Sequence, residues 1–159
     1  MYLEHFILEK YNCNNYFHKS TVILMGNDDE VWKYMGDIDI IIEEIESKSL
    51  QNIYDCFYIV YKKGDINPIG IIAFTFFKTA NRYSIIYGIL PENRGKNLSS
   101  VLLTEFTQHL FNKYSEIEEI TLQINKGNLI SSRTALSSGY YKECGTRYVK
   151  KRSIRKDNL

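Results

Sequence analysis

The stretch that decides the fold is residues 91–103, PENRGKNLSSVLL. An apolar, β-rich run over residues 83–90 precedes it, and from Leu98 onward apolar side chains recur at helical spacing, so the order is strand, short basic turn, helix. The first turn of a helix leaves backbone N–H groups without partners and carries the positive end of the helix dipole. Because Gly95 lets a ligand approach and Arg94 and Lys96 add charge, the stretch predicts a site for a di- or polyphosphate. The alternative is a plain connection whose basic side chains are solvated.

Length and composition indicate a single domain. The chain has 159 residues and 44% of them are apolar, which is enough for one core. It contains no run of about 18 apolar residues, and its N-terminus lacks the features of a signal peptide, so we expect no membrane segment. Cys13, Cys56 and Cys144 stand far apart, which predicts a reducing, cytoplasmic location. The three histidines are equally scattered, so we expect no bound metal.

Charge is unevenly distributed along the chain. Residues 1–54 hold four basic and ten acidic residues, for a net charge of −6, whereas the remainder carries +7. This asymmetry suits a protein that holds an anionic cofactor and a cationic substrate. Alternatively, the acids line exposed helix faces.

Periodicity and turn residues predict a mixed α/β fold. We expect strands over residues 2–8, 54–62, 69–78, 83–90 and 117–124, with one or two short strands over 140–151. We expect helices from an Asn27/Glu30 capping box to Gly36, over 38–49, from the basic turn to about 113, and over 129–138 after Asn128. Residues 10–20 look like a loop and residues 152–159 like a polar tail. A three-stranded meander followed by a βαβ unit predicts a mixed sheet with helices on its faces.

The chain resembles the GNAT N-acetyltransferases. The similarity is strong across residues 55–145 and weak in the N-terminal part. The segment RGKNLS, residues 94–99, is similar to the family's pyrophosphate loop, Arg/Gln-x-x-Gly-x-Gly/Ala, and PEN precedes it as is typical. The segment NLISSR, residues 128–133, with Gly139-Tyr140 and Glu143 after it, is similar to the Asn-x-x-Ser…Gly-Phe…Glu pattern of the branch that acetylates ribosomal-protein N-termini. The resemblance implies a twisted mixed sheet of six to seven strands flanked by about four helices.

Four positions depart from the family pattern. Asn97 and Ser99 replace small residues of the loop, although asparagine tolerates unusual backbone angles better than most residues. The tyrosine that many members use as general acid would fall at Ala135, and the glutamate that many carry on the preceding strand would fall near Ser84. Both functional groups are therefore missing at those positions.

The resemblance implies direct acetyl transfer from acetyl-CoA to an amine. The pyrophosphate is assigned to Arg94, Gly95, Lys96, Asn97, Leu98 and Ser99. The pantetheine amides need a free strand edge, which the family obtains by splaying two parallel strands, here the backbone of Ile89 and Leu90 opposite Gln123. Asn128 could hold the pantetheine arm or only cap its helix, and Arg133 could reach the adenine or a phosphate or be solvated.

The chemistry needs a donor for the leaving thiolate and an acceptor for the amine proton. Ser131 matches the serine of the ribosomal-type pattern and could donate toward the sulfur, although capping by its hydroxyl is the plainer role. Glu143 matches the pattern as a candidate base. The ordinary pKa of Tyr87 is too high for a base, and Glu92 lies in the phosphate turn, so an ordered water is the fallback.

We expect the amine to enter over the acidic helical segment, residues 21–50, beside an acetyl-CoA-binding core at 55–145. A peptide N-terminus, a polyamine, an aminoglycoside or a small amino compound would all fit. Trp32, Tyr34 and Met35 are candidates for the pocket wall, or else core residues. The acids that could attract a cation are Asp28, Asp29, Glu30, Asp37, Asp39, Glu43, Glu44 and Glu46.

Two rival hypotheses stay open. One is a catalytically degenerate fold that binds acyl-CoA or a partner. The other is a nucleic-acid module that uses the basic tail at Lys150, Lys151, Arg152, Arg155 and Lys156. The tail lacks interleaved stacking aromatics, so we expect no specific nucleic-acid partner. The chain could also pair as a homodimer, as family members often do.

Overall fold

The structure is a computed structural model that describes residues 1–49, 56–77, 79 and 81–153. Within these ranges it has seven strands and five α-helices. The strands are β1 (Phe6–Lys10), β2 (Cys56–Lys62), β3 (Pro68–Phe77), β4 (Arg82–Ile89), β5 (Glu119–Gln123), β6 (Tyr141–Cys144) and β7 (Arg147–Lys151). The helices are α1 (Tyr16–Gly26), α2 (Asp29–Met35), α3 (Ile38–Ser49), α4 (Leu98–Lys113) and α5 (Leu129–Ser137), and Pro91–Asn93 forms a 3₁₀ turn.

All seven strands form one sheet in the order β1-β2-β3-β4-β5-β7-β6. Its neighbours pair antiparallel except β4 and β5, which run parallel. Strand β3 is buried over most of its length because helices cover both faces of the sheet. Leu102 and Phe106 of α4 pack on one face, and Val22 of α1 and Ile42 of α3 pack on the other. The predicted mixed sheet with helices on its faces is therefore confirmed.

The prediction of a loop over residues 10–20 is wrong in its second half, because α1 begins at Tyr16. Asn15 caps this helix, and its side chain accepts hydrogen bonds from the N–H groups of Phe17 and His18. The buried face repeats at helical spacing through His18, Thr21, Val22 and Met25. Two of these four positions are polar, which hid the apolar stripe in the sequence. Helix α1 is the reason that five helices are found where about four were expected.

The other observed helix and strand boundaries lie close to the predicted ones. The first strand lies at Phe6–Lys10 rather than at residues 2–8. Asp28, not Asn27, caps α2, since its carboxylate accepts from the N–H groups of Glu30 and Val31. That helix stops at Gly36, which has a φ of 81°. The longest described helix, α4, has 16 residues, and no helix in the described ranges has the length and apolarity needed to cross a membrane.

Candidate functional site

A cleft opens between the parallel strands β4 and β5. They pair only at Tyr83–Ile120 and Ser84–Thr121, although β4 continues to Ile89. Two side chains pin the strands together there: Ser84 Oγ donates to the Thr121 carbonyl at 3.0 Å, and Thr121 Oγ1 donates to the Tyr83 carbonyl at 2.9 Å. Beyond this point the strands diverge around a cleft of about 370 Å³.

The cleft has a free strand edge. Main-chain groups of alternate residues point to opposite sides of a strand. The Leu90 N–H donates to Ile69 of β3 at 2.9 Å, so the odd-numbered residues Ile85, Tyr87 and Ile89 direct their main-chain groups toward β5, which has moved away. The carbonyl of Ile89 accepts from Arg94 Nε at 3.0 Å.

Two expectations about this edge need correction. The N–H of Leu90 bonds to Ile69, and its carbonyl accepts from the Asn93 N–H at 2.9 Å, so neither group is available to a pantetheine amide. The observed register, extended from Ser84–Thr121, brings Gln123 level with Ile86 and not with Ile89. Periodicity predicts that two strands are neighbours but not how their residues align.

The cleft passes from one face of the sheet to the other. The lining residues are Tyr34, Met35, Ile41, Phe77, Arg82, Ser84, Ile85, Ile86, Tyr87, Leu122, Gln123, Ile124, Asn125, Asn128 and Ser131. The prediction that Tyr34 and Met35 form part of the wall is confirmed, whereas Trp32 is 54% exposed and is not among these residues. Among the described residues that line the cleft, Arg82 is the one with a charged side chain.

Helix α2 is tied to the loop after β5 on one side of the cleft. The Tyr34 hydroxyl donates to the Gly127 carbonyl at 3.4 Å, and Asn125 Nδ2 donates to the Tyr34 carbonyl at 3.0 Å. These contacts join segments about 90 residues apart in sequence. They give the cleft a wall that no local sequence pattern predicts.

Tyr87 places a buried phenol in the cleft. Burial raises its pKa to about 12, while the neighbouring hydroxyls of Ser131 and Thr134 act in the opposite direction. Within the described ranges neither hydroxyl completes a hydrogen bond to the Tyr87 oxygen. Tyr87 therefore stays protonated at neutral pH and can donate a proton but cannot act as a base. The sequence analysis considered Tyr87 only as a base, although period two along β4 places it on the same face as Ile85 and Ile89.

The phosphate turn has the backbone that the sequence predicts. Gly95 has a φ of 76°, and Asn97 has φ 58° and ψ 13°, the left-handed conformation that the family's glycine would adopt. Asn97 makes no side-chain capping bond to α4, whose first turn begins at Leu98 and Ser99. Lys96 is exposed, and its Nζ donates to the Glu92 carbonyl at 3.2 Å. Asparagine thus replaces glycine here without losing the turn.

Arg94 is occupied by other protein groups. Its Nε donates to Ile89, one terminal nitrogen lies 3.3 Å from Glu30, and the other lies 3.2 Å from Asp28. Burial raises the pKa of the Asp28 carboxyl, but hydrogen bonds from the Val31 N–H and from Arg94 outweigh burial and lower that pKa overall. The Arg94 N–H also donates to Pro91 at 3.1 Å. Arg94 therefore fastens α2 to the turn, and its assignment as a pyrophosphate ligand stays a prediction.

The second motif meets the cleft at the start of α5. The Asn128 side-chain oxygen accepts from the Ser131 N–H at 3.0 Å, so the capping role is confirmed, and both residues also line the cleft. Arg133 is exposed on α5. Ala135, where the family's tyrosine would fall, is fully buried in the core against α4 and β4.

The structure contradicts Glu143 as a base. It lies on β6, the outermost strand of the sheet, with β7 and β5 between it and β4. Its carboxylate lies 3.0 Å from Arg147, which also bonds to Glu119 at 2.8 Å. A motif that matches along the sequence here falls at the wrong edge of the sheet for a role in the cleft.

The acids of α2 and α3 serve mainly local roles. Asp28 and Glu30 hold Arg94, and Asp37 accepts from the N–H of Asp39 at 2.9 Å at the start of α3. Glu43 is exposed. No described acidic residue lines the cleft, so the expected acidic substrate entrance lies outside it.

Two residues of the basic tail make contacts within the fold. Lys150 Nζ donates to the Ser138 carbonyl at 2.7 Å, and Arg152 donates to the carbonyls of Phe111, Tyr114 and Ile117, after the fashion of a C-terminal helix cap. Two members of the proposed basic tail are thus structural, while Arg155 and Lys156 lie outside the described residues.

One group of potential metal ligands escaped the sequence analysis. Glu4, His5 and Glu105 come together on the surface, outside the cleft. The Glu105 carboxylate bonds to both the ring and the N–H of His5, which accounts for their proximity. No disulfide joins Cys13, Cys56 and Cys144, all of which lie in the described ranges.

We compared the chain with known proteins. No model of a known protein family matches it, and no curated protein matches it either. Solved structures do match. The aminoglycoside acetyltransferase AAC(6')-Ib, in complex with coenzyme A and kanamycin, superposes with a TM-score of 0.72 at 15% identity over 93% of this chain and 94% of that one.

Two further structures match as well. A GNAT-family acetyltransferase from Bacillus anthracis has a TM-score of 0.72 at 15% identity, over 95% of this chain and 97% of that one. An acetyltransferase from Salmonella typhimurium that modifies the N-terminal serine of a 50S ribosomal subunit protein has a TM-score of 0.71 at 12% identity, over 94% of this chain and 96% of that one. Identities this low establish the fold and leave the substrate open. The chain therefore has the fold of the GNAT acetyltransferases.

Proposed function

We propose that this protein is an N-acetyltransferase that moves an acetyl group from acetyl-CoA directly to a primary amine. The observation that carries the proposal is the cleft between β4 and β5, which combines a free strand edge, an uncapped helix start after it and a buried proton donor. Neighbours of the same fold were crystallised with coenzyme A, which supports the choice of cofactor.

The residues present fit the cofactor in two parts. The N–H groups of residues 95–99 and the charge of Lys96 would receive the pyrophosphate, because the left-handed Asn97 leaves the start of α4 without a side-chain cap. The main-chain groups of Ile85 and Tyr87 and the N–H of Ile89 would pair with the pantetheine amides, with Asn128 beside them. We also propose that Arg133 contacts the adenine end of the cofactor. When bound, acetyl-CoA supplies the activated acyl group.

Tyr87 is our candidate for the proton donor to the leaving thiolate. Its pKa of about 12 keeps the phenol protonated, and its oxygen has no completed hydrogen bond in the described part of the chain. Ser131, next to it, would orient the phenol or donate to the same sulfur. The proton of the attacking amine would pass to water, since no described carboxylate lines the cleft. Tyr87 thus takes the role left open by Ala135.

Calorimetry of acetyl-CoA binding tests the cofactor site first. We expect micromolar binding by the wild type and about tenfold weaker binding by Lys96→Ala, a loss of about 1.4 kcal/mol. Lys142→Ala, a change to an exposed lysine on β6, is the matched control and should bind like the wild type. Absence of binding by the wild type would refute the proposal.

A second candidate is a degenerate fold that binds acyl-CoA without turnover. The buried Ala135 and the lack of a described carboxylate along the cleft favour it. Release of free coenzyme A with a panel of primary amines decides between the two. Turnover supports the enzyme, whereas binding without turnover across the panel supports the second candidate. A cytoplasmic location and a homodimer remain predictions.

A further inference from the structure

Arg82, the first residue of β4, is the charged group of the cleft that the proposed chemistry does not use. Its Nε is buried without a hydrogen bond, and no hydrogen bond or ion pair to its side chain occurs within the described ranges. A buried N–H that has lost water without gaining a partner is unfavourable, so such groups are normally hydrogen-bonded. The contrast with Arg94, whose three guanidinium nitrogens are all bonded, shows that this chain pairs such a group elsewhere.

Arg82 lies on the face of the sheet that α1 and α3 cover. Side chains alternate along β4, so Arg82 lies on the same face as Ile86, which packs against the α1–α3 cluster. Tyr83 and Tyr87 lie on the opposite face, with α4 and α5. The phosphate turn begins beyond the other end of β4, about 23 Å away at about 3.3 Å per residue. Arg82 is therefore too far from the phosphate turn to bind the cofactor phosphates, which leaves the acceptor as its candidate ligand.

The acids of this face do not neutralise Arg82. Asp28 and Glu30 hold Arg94, Asp37 caps α3, and no described acid lines the cleft. The cleft therefore carries positive charge at the N-terminal end of β4. A polycation would be repelled there, whereas an anionic oxygen group would accept hydrogen bonds from the guanidinium of Arg82. The planar fork of arginine matches a carboxylate with two parallel hydrogen bonds.

We propose that Arg82 binds an anionic oxygen group of the acceptor, so that the substrate is a primary amine that also carries a carboxylate. This inference rests on the proposed function, and it replaces the expectation of a purely cationic substrate. It predicts that amino acids, ω-amino acids or short peptides with a free C-terminus are preferred over polyamines. A phosphate would offer the same chemistry, and the test below separates the two groups.

The test measures binding of matched amines to the protein saturated with coenzyme A, by calorimetry, and turnover in parallel. The pairs are glycine and glycinamide, 4-aminobutyrate and butylamine, a dipeptide and its C-terminal amide, and phosphoethanolamine and ethanolamine. We expect at least one carboxylate to bind ten times more tightly than its neutral partner. A preference confined to phosphoethanolamine would overturn the carboxylate assignment. Equal binding within every pair would overturn the whole inference.

Substitution of Arg82 locates the anion site. In Arg82→Gln we expect the preference for the carboxylate to vanish, with KM raised about tenfold, kcat little changed and acetyl-CoA binding unchanged. Arg82→Lys keeps the positive charge but not the planar guanidinium, so it should recover part of the preference for the carboxylate. Lys142→Gln is the surface control. A preference that survives in Arg82→Gln would place the anion elsewhere and overturn the proposal. If Arg82→Gln does not fold, the wild-type pairs test the carboxylate preference and Arg82→Lys tests its dependence on Arg82.

The two proposals can fail separately. Carboxylate binding that depends on Arg82, without turnover, would refute the enzyme and keep the anion site. Turnover of carboxylate-bearing amines that is unaffected in Arg82→Gln would keep the enzyme and refute the anion site.

Discussion

The two ends of β4 carry two arginines with opposite surroundings. Arg94, just beyond the C-terminal end, bonds to Ile89, Glu30 and Asp28, whereas the side chain of Arg82, at the N-terminal end, has no described partner. The motif in the sequence points to Arg94 as the ligand-binding residue. The contacts add Arg82 as a candidate, because its side chain lies in the cleft without a described partner, whereas the guanidinium of Arg94 already stabilises the fold.

The largest effect should come from the residue between the two arginines. Tyr87→Phe removes the proposed proton donor from the middle of the cleft, so we expect kcat to fall about 100-fold, or about 2.7 kcal/mol in the barrier. Stability should hardly change, since the lost hydroxyl makes no completed hydrogen bond in the described ranges. Steady-state kinetics and thermal unfolding measure both.

Tyr140→Phe is the matched control for Tyr87. Its buried hydroxyl bonds to Thr107 at 2.7 Å and lies outside the cleft. This variant should lose stability and keep kcat. An unchanged kcat in Tyr87→Phe would remove Tyr87 as the proton donor and leave Ser131 as the candidate.

The next largest effect is a difference in stability between variants of the two arginines. Arg94→Ala leaves Asp28 and Glu30 without their shared partner and frees α2 from the turn, so we expect a loss of about 2 kcal/mol in the free energy of unfolding. Arg82→Ala should change it by less than about 0.5 kcal/mol, because no described contact is lost. Urea denaturation of both variants provides the measurement. Equal losses of unfolding free energy in the two variants would contradict the contrast between the two arginines.

A smaller effect concerns the backbone of the phosphate turn. Asn97 has a φ of 58°, which a residue with a Cβ and no local polar group adopts at a cost of about 1 kcal/mol. We expect Asn97→Ala to lose about that much stability and to bind acetyl-CoA more weakly, and Asn97→Gly to retain both. An alanine variant as stable as the glycine variant would contradict the left-handed turn.

The smallest effect is a pH dependence that Arg94 imposes on Asp28. The pKa of Asp28 is lower in the folded protein than its ordinary value, so its ionised form adds stability above that ordinary value, near pH 4. This stability is lost as the pH falls through the folded pKa. In Arg94→Ala the acid loss should be smaller than in the wild type. Unfolding free energies measured from pH 6 to pH 3 test this, and identical slopes in the two proteins would count against the pair.

Sequence reasoning succeeded where the cause is local. Asn128 caps α5, Gly36 ends α2, and Asn97 takes the left-handed conformation, since each depends on neighbours within a few residues. Reasoning failed at α1, where polar His18 and Thr21 occupy buried positions. His18 is buried with its ring nitrogen 3.1 Å from the Glu9 carboxylate, a contact between elements that periodicity cannot show.

The candidate site divides in the same way. The motifs identified the start of α5 at Ser131, which lines the cleft, and the turn around Gly95, which belongs to the proposed cofactor site. They misassigned Glu143, because a sequence match says nothing about which strand lies next to β4, and here β5 and β7 intervene. They passed over Arg82, because no motif contains it.

By itself the sequence determined the strand–turn–helix order, the helix caps, the backbone of the phosphate turn and the resemblance to a GNAT acetyltransferase. Tertiary structure alone decided where β4 and β5 separate and which acidic side chains form ion pairs with Arg94. It also decided that Arg82 lies in the cleft without a described partner. The physical reason is the range of the interactions. Caps and turns form between neighbours in the chain, whereas Arg94 meets Glu30 across 64 residues, and such a pairing exists only after the sheet and its helices have packed.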